Sequence, residues 1–121
     1  MTYVVIDGDD VGRKMAAFYL TNNAEDLGRL ASKVNEKILQ VAYLLRSTGY
    51  DVIFCAADGV AAQAELPIST STDLFPAIEA IGGCDMTFSA GVGATLREAY
   101  VALLSAKSAG KAQLCVYGNL P

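Results

Sequence analysis

Histidine and tryptophan are absent from this chain of 121 residues, and it holds only three prolines and three cysteines. Without histidine there is no Ser/His or Cys/His triad and no His-containing zinc site, so any chemistry rests on carboxylates, lysines or hydroxyls. Cys55, Cys84 and Cys115 are odd in number, widely spaced and set in apolar or strand-like contexts, with no CxxC pair; this is the pattern of buried structural thiols. Charge is also scarce. Only 18% of residues are charged against 53% hydrophobic, which excludes intrinsic disorder and argues for an ordered core. No apolar run reaches transmembrane length, and MTYVVIDGDD lacks the basic n-region and long apolar h-region of a signal peptide, so a cytoplasmic location and no membrane partner are expected. The net charge of −4 leaves no basic stripe for phosphate neutralisation, which argues against duplex nucleic acid as a partner.

What is present is enough for one domain, expected to span residues 1–121 without linker or low-complexity tract. Tyr3 to Asp7 is a β-branched run ending in a Gly/Asp-rich turn, which predicts a first strand. A short helix is predicted over about Gly12 to Leu20. Leu27, Leu30, Val34, Ile38, Val41 and Leu45 then recur at helical spacing, with Asn22 or Asn23 as cap, Glu25 and Asp26 in the first turn and Gly49 after the end. Asp51 to Ala56 and Val60 to Glu65 read as strands joined by Ala57-Asp58-Gly59, a hairpin signal that puts Asp58 at the tip. Thr72 to Ile81 is predicted helical, Met86 to Gly93 a strand, Leu96 to Ala109 a helix stopped by Gly110, and Ala112 to Tyr117 the last strand. The order predicts an α+β fold. Its β-α-β-β-α-β core is ferredoxin-like, an antiparallel sheet with helices on one face, followed by a C-terminal αβ unit.

In that arrangement the first strand is expected beside the strand entering the hairpin, bringing Asp7 and Asp58 to one rim of the sheet. Two adjacent carboxylates on rigid strands supply the half-empty oxygen shell that Mg²⁺ favours, the rest being phosphate and water. Gly8 is expected to let a metal or triphosphate approach the backbone, its carbonyl serving as a further ligand. The plainer reading is that Asp and Gly simply suit turns. Lys107 and Lys111, four apart across the end of the last helix, are able to face one side as a phosphate grip, although lysines also suit a helix C-terminus without any ligand. Arg13 and Lys14 follow the acidic turn and carry the same two readings. Phe18 and Tyr19 are able to stack on a base, with core packing their ordinary use.

Four elements occur in the order found in GGDEF-type nucleotide cyclases: DGDDVG after the first strand, the hairpin Cys55-Ala56-Ala57-Asp58-Gly59, the strand Phe88-Ser89-Ala90-Gly91-Val92-Gly93, and Ala106-Lys107-Ser108-Ala109-Gly110-Lys111. The last two resemble that family's SxGxA strand and AKxxGK/R element. Over nearly its whole length the chain is most similar to the minimal CRISPR polymerase group, mCpol, related to the palm of the large subunit of type III CRISPR complexes. The resemblance implies Asp7 and Asp58 as metal-binding catalytic acids, with Gly8 lending a carbonyl. It implies Lys107 and Lys111 as the triphosphate grip, and Asp9 as the second acid of the DxD start, with nucleotide-site membership. Ala56 and Ala57 stand where the family has two glycines, and Gly59 replaces its fourth-position acid, which puts a guanine-specific product in question.

The implied activity is Mg²⁺- or Mn²⁺-dependent nucleotidyl transfer, joining nucleoside triphosphates, ATP among them, into a cyclic di- or oligonucleotide. One palm grips one triphosphate, so a homodimer is expected, with a separate effector binding the product in antiphage signalling. Two other readings remain. A degenerate palm would bind nucleotide without turnover, and a phosphoacceptor receiver domain has a similar length and similarly placed acids and lysine. Against the receiver, Val60 to Glu65 reads as a return strand where a receiver has a loop and helix.

Overall fold

The computed structural model describes every residue from Met1 to Pro121. Along the chain run β1 (Thr2–Gly8), α1 (Val11–Leu20), α2 (Ala24–Ser47), β2 (Asp51–Ala56), β3 (Gly59–Ala64), α3 (Ile68–Gly82), β4 (Phe88–Gly93), α4 (Leu96–Ser108) and β5 (Leu114–Val116), closed by a 3-10 turn over Tyr117–Asn119. The five strands form one sheet in the order β2-β3-β1-β4-β5. β1 is therefore central, and its neighbour on the hairpin side is β3, the strand leaving the hairpin. The expectation that it lies beside the entering strand is corrected by the register, in which Asp7 faces Gly59 and Val4 faces Ala62. A four-stranded antiparallel core with β1 flanked by β3 and β4 is the ferredoxin-like arrangement. β5 joins parallel to β4 through the α4 crossover.

Strand alternation divides the sheet into two faces. Val4, Ile6, Val60, Ala62, Phe88, Ala90 and Val92 point to one side and pack with Val34, Ile38, Val41 and Leu45 of α2 and with Phe75 and Ile78 of α3. This is the main core. The start of α2 is held by Asn23, whose side chain accepts from Asp26 N at 3.1 Å, as its position before the apolar stripe predicts. The helix of the added αβ unit occupies the other face. Ala99, Ala102, Leu103 and Ala106 of α4 are buried there, against the side of β4 that carries Gly91. A Cβ at Gly91 would stand 2.1 Å from Ala99 O and 2.2 Å from Leu103 N, so only glycine lets α4 lie this close.

Several boundaries differ from the sequence-based expectation. α3 begins at Ile68 rather than Thr72 because Pro67 supplies the extended entry to the helix (φ −61°, ψ 151°), and polar Ser71 is buried in the first turn against Tyr50 Oη at 2.6 Å. β4 starts at Phe88 rather than Met86, whose N–H still bonds Gly82 O at the end of α3. β5 does not start at Ala112, since Lys111 (φ 65°) and Ala112 (φ 52°) are left-handed, and Tyr117 already belongs to the 3-10 turn. The cysteines are not buried: Cys84 is exposed, and Cys55 and Cys115 are half-buried. Phe18 and Tyr19 also lie outside the core, Tyr19 being 69% exposed.

Candidate active site at the rim of β1

The β-branched run of β1 drives the strand through the middle of the sheet, and Asp7 ends it one register step from the hairpin tip. The two turns are tied together, Gly8 N donating to Asp58 O at 2.8 Å. Asp7 and Asp58 are thereby neighbours, close enough that the Asp58 charge acts on the Asp7 carboxyl. Burial first, and Asp58 and Asp9 in addition, push the Asp7 pKa up, against the opposing pull of Lys107.

Lys107, in the last turn of α4, reaches over the rim. Its ammonium donates to Asp9 Oδ1 at 2.8 Å and Gly8 O at 3.0 Å and is ion-paired with Asp7 Oδ2 at 3.0 Å. Burial disfavours this ammonium, yet the bonds to Asp9 and Asp7 outweigh it and raise the Lys107 pKa. Lys111, beyond the helix, pairs with Asp10 Oδ1. That contact lowers the Asp10 pKa. Both lysines thus converge on the acidic turn, as their spacing across the helix end predicts.

Two expected site residues take different positions. The side chain of Asp9 is 2% exposed and faces away from solvent. Its Oδ1 accepts from Ser89 Oγ at 2.7 Å and from Lys107, and its Oδ2 from Thr87 Oγ1 at 2.7 Å and Ala112 N at 3.0 Å. Burial alone would raise its pKa, but the bonds from Lys107, Ser89, Thr87 and Ala112 together lower it. With both oxygens occupied, Asp9 is a bracket joining β1, β4, α4 and the loop before β5 rather than an open nucleotide contact. Gly8 is buried, and a Cβ there would stand 2.7 Å from Met86 Cε and 3.0 Å from Val11 Cγ2. The space beside its Cα is filled by packing, while its carbonyl faces Lys107. Thr87, Ser89 and the Ala112 amide gave no signal in the sequence. They are ordinary strand and loop residues until β4 and β5 are placed.

Backbone strain gathers at the same rim. Of five non-glycine residues with positive φ, four surround the site: Asp10 (61°), Ala57 (53°), Lys111 (65°) and Ala112 (52°). The left-handed geometry at Lys111 and Ala112 turns one side chain to Asp10 and one amide to Asp9. Ala57 occupies a left-handed position that suits glycine, so alanine here carries a conformational cost.

No group of three or more Asp, Glu, Cys or His side chains is arranged as a complete metal cage. The donor set does fit a partly hydrated divalent ion. Asp7 and Asp9 share the Lys107 ammonium, and Asp58 is near enough for its charge to act on Asp7, so two turns contribute hard oxygen donors at one rim. Asp58 is followed directly by β3, not by a loop and helix, so the receiver reading is excluded. No helix is long and apolar enough to cross a membrane.

Solved structures of nucleotide cyclase domains share this fold. The GGEEF domain of a diguanylate cyclase from Vibrio cholerae superposes with a TM-score of 0.69 at 17% identity, covering 96% of this chain and 81% of that one. The GGDEF domain of DgcB from Caulobacter crescentus, solved in complex with c-di-GMP, gives 0.68 at 12% identity over 98% and 78%. At such identities the likeness concerns the fold. No curated protein matches the chain. The minimal CRISPR polymerase domain model matches residues 3–117, which takes in every strand, the acidic rim and both lysines, and the chain belongs to that family, mCpol.

Proposed function

We propose that this single palm domain is a metal-dependent nucleotidyltransferase that joins nucleoside triphosphates, ATP first among them, into a cyclic di- or oligonucleotide. The observation that carries the reading is the Asp7–Asp58 pair, two acids from separate turns held at one rim, with Lys107 and Lys111 brought to it from the far end of the chain. Membership of mCpol and the cyclase fold support a polymerase- or cyclase-like domain of nucleotidyltransferase type.

Asp7 and Asp58 would hold Mg²⁺ or Mn²⁺, with the Gly8 carbonyl beside them. Bound there, the ion would polarise the α-phosphate and ease ionisation of the attacking hydroxyl. That hydroxyl oxygen bonds to the α-phosphorus, the bond to the bridging oxygen of the β-phosphate breaks, pyrophosphate leaves and the hydroxyl proton passes to solvent. Lys107 and Lys111 exchange carboxylate partners for phosphate oxygens and offset charge on the leaving group. Asp9 fixes the resting direction of Lys107. Joining two nucleotides calls for two facing sites, hence a homodimer, and a separate effector would read the product in antiphage defence.

The test is to incubate the chain with each labelled triphosphate and Mg²⁺ or Mn²⁺ and resolve the products beside Asp58→Asn. A cyclic product that falls at least about a hundredfold in the variant is the expected result. Metal-dependent nucleotide binding without product would instead identify a degenerate palm.

A further inference from the structure

The two faces of the sheet are covered unequally. α2 and α3 lie over one face, whereas the other carries only α4, which packs on β4, β1 and β5. Beside α4, the half of that face made by β2 and β3 is bare. Gly59 and Ala61 floor a groove of about 310 Å³ there, with Phe54 along one flank, Tyr100 and Leu104 along the other, and Asp7 with Lys107 at its rim end. Phe54, Leu96, Tyr100 and Leu104 are each about half exposed, so the ridge of α4 and the groove beside it form one apolar surface of the kind that marks an interaction site.

Phe54 reaches this face through an irregularity of β2. Val52 pairs with Ala62 and Phe54 with Ala61, so Ile53 is an extra residue in the strand. The bulge keeps Val52 and Cys55 against the main core while turning Phe54 to the α4 side. It also spoils β2 as an edge for strand addition, which leaves the face as the surface to be covered. Two charges stand at the end of that face remote from the rim. Asp51, Gln63, Tyr3 and Gly93 form one row across the sheet, with Asp51 at its β2 edge. Arg97 lies over the other side of the row, in the first turn of α4, whose Glu98 and Ala99 abut Gly93. Both Asp51 and Arg97 are exposed, and neither makes a salt bridge within the chain.

We infer that this face is covered by a second copy of the chain, each α4 seated on the partner's bare strands. α4 has 13 residues, a rod about 20 Å long and about 10 Å wide, and two strands of 6 residues offer a seat of about the same length and width. Ridge and groove lie side by side on one surface, so symmetry restricts how two copies mate. A two-fold axis perpendicular to the face sets the copies edge to edge, and one running across the strands lays ridge on ridge. An axis running along α4 lays each ridge in the other's groove. Both helices then share one layer between two sheets, about 10 Å apart. The same rotation keeps the remote ends together, so Arg97 of each copy comes over the β2 edge where the partner's Asp51 stands, and symmetry forms the ion pair twice. It keeps the rim ends together as well, bringing both pairs of Asp7 and Lys107 to one end of the dimer. That juxtaposition meets the two-site requirement of the proposed nucleotidyltransferase reading, on which the role of the contact in the chemistry rests.

Light scattering of the full chain over a concentration series, with triphosphate turnover measured beside it, tests the arrangement. Wild type is expected to dimerise, Leu104→Arg to raise the dimer dissociation constant at least about a hundredfold, and Asp51→Arg or Arg97→Asp alone to raise it about tenfold. Combining Asp51→Arg with Arg97→Asp is expected to restore it, because the reversed pair attracts again. All three positions are at the surface, and circular dichroism will report that the variants fold. A wild type that stays monomeric, a dimer indifferent to Leu104→Arg, or single reversals that the double reversal does not rescue would overturn the inference even if the chain makes product. Undiminished product from a monomeric Leu104→Arg variant would overturn the role of the contact in the reaction. The rescue pattern without product from any triphosphate would instead sink the proposed activity and leave the contact standing.

Discussion

Asp7 and Asp9 sit two residues apart on the same strand end and behave in opposite ways. Asp9 has a depressed pKa, so its contribution to stability is present above the ordinary carboxylate range and is lost as pH falls through its folded value. Lys107 has a raised pKa, so its contribution is present below its ordinary value of 10.5 and is lost as pH rises through the higher folded value. Asp7 has a raised pKa, so its carboxylate form works against the ligand-free fold at any pH above its folded value. Asp9→Asn is therefore expected to cost about 3 kcal/mol in urea unfolding at pH 7, since it leaves Lys107 partly unpaired and upsets the hydrogen bonds from Thr87, Ser89 and Ala112. Asp7→Asn is expected to hold or raise the unfolding midpoint while abolishing metal-dependent activity, because Lys107 keeps Asp9 and Gly8. Equal destabilisation by the two variants would contradict these assignments. The carboxylates themselves were legible as an acidic turn. Which of them faces solvent was not, because three of Asp9's partners come from β4, the residue preceding it and the loop before β5.

At the level of elements, the hairpin, the long helix and the α4 crossover follow from local signals: Asp58-Gly59, the apolar stripe from Leu27 to Leu45, and Gly110 after the last helix. The placement of α4 depends on what a strand omits. Gly91 admits the helix backbone to contact with β4, so Gly91→Ala should force α4 outward by an overpacking cost of about 3 kcal/mol, read as a lowered unfolding midpoint. Lys107 would move with the helix, and turnover should fall further than nucleotide binding. A variant of wild-type stability would show that α4 packs more loosely than the structure indicates. The bulge at Ile53 is the converse case. β-branched and aromatic residues mark β2 as a strand, but nothing in Asp51 to Ala56 says where the extra residue goes; that is decided by pairing with β3 and by the need to bury Val52 and Cys55.

For the whole molecule, the strand order brings residues 7, 58, 107 and 111 to one rim, which under the proposed function is one half of a two-nucleotide reaction. Product formed per chain is expected to rise with protein concentration and to level off as dimers, followed by light scattering, become populated. Constant specific activity from a monomer would remove the facing-site arrangement. Periodicity and turn chemistry are local properties, and by themselves they determined the elements, the ferredoxin-like order, and the acids and lysines of the rim. The tertiary structure decided that β1 adjoins β3 rather than β2, that α4 takes the opposite face, that Asp9 and Gly8 are internal supports, and that Phe54 hangs beside Asp7. Each of these depends on contacts between residues far apart in the chain, where hydrogen-bond satisfaction and close packing choose among arrangements that local pattern leaves equal.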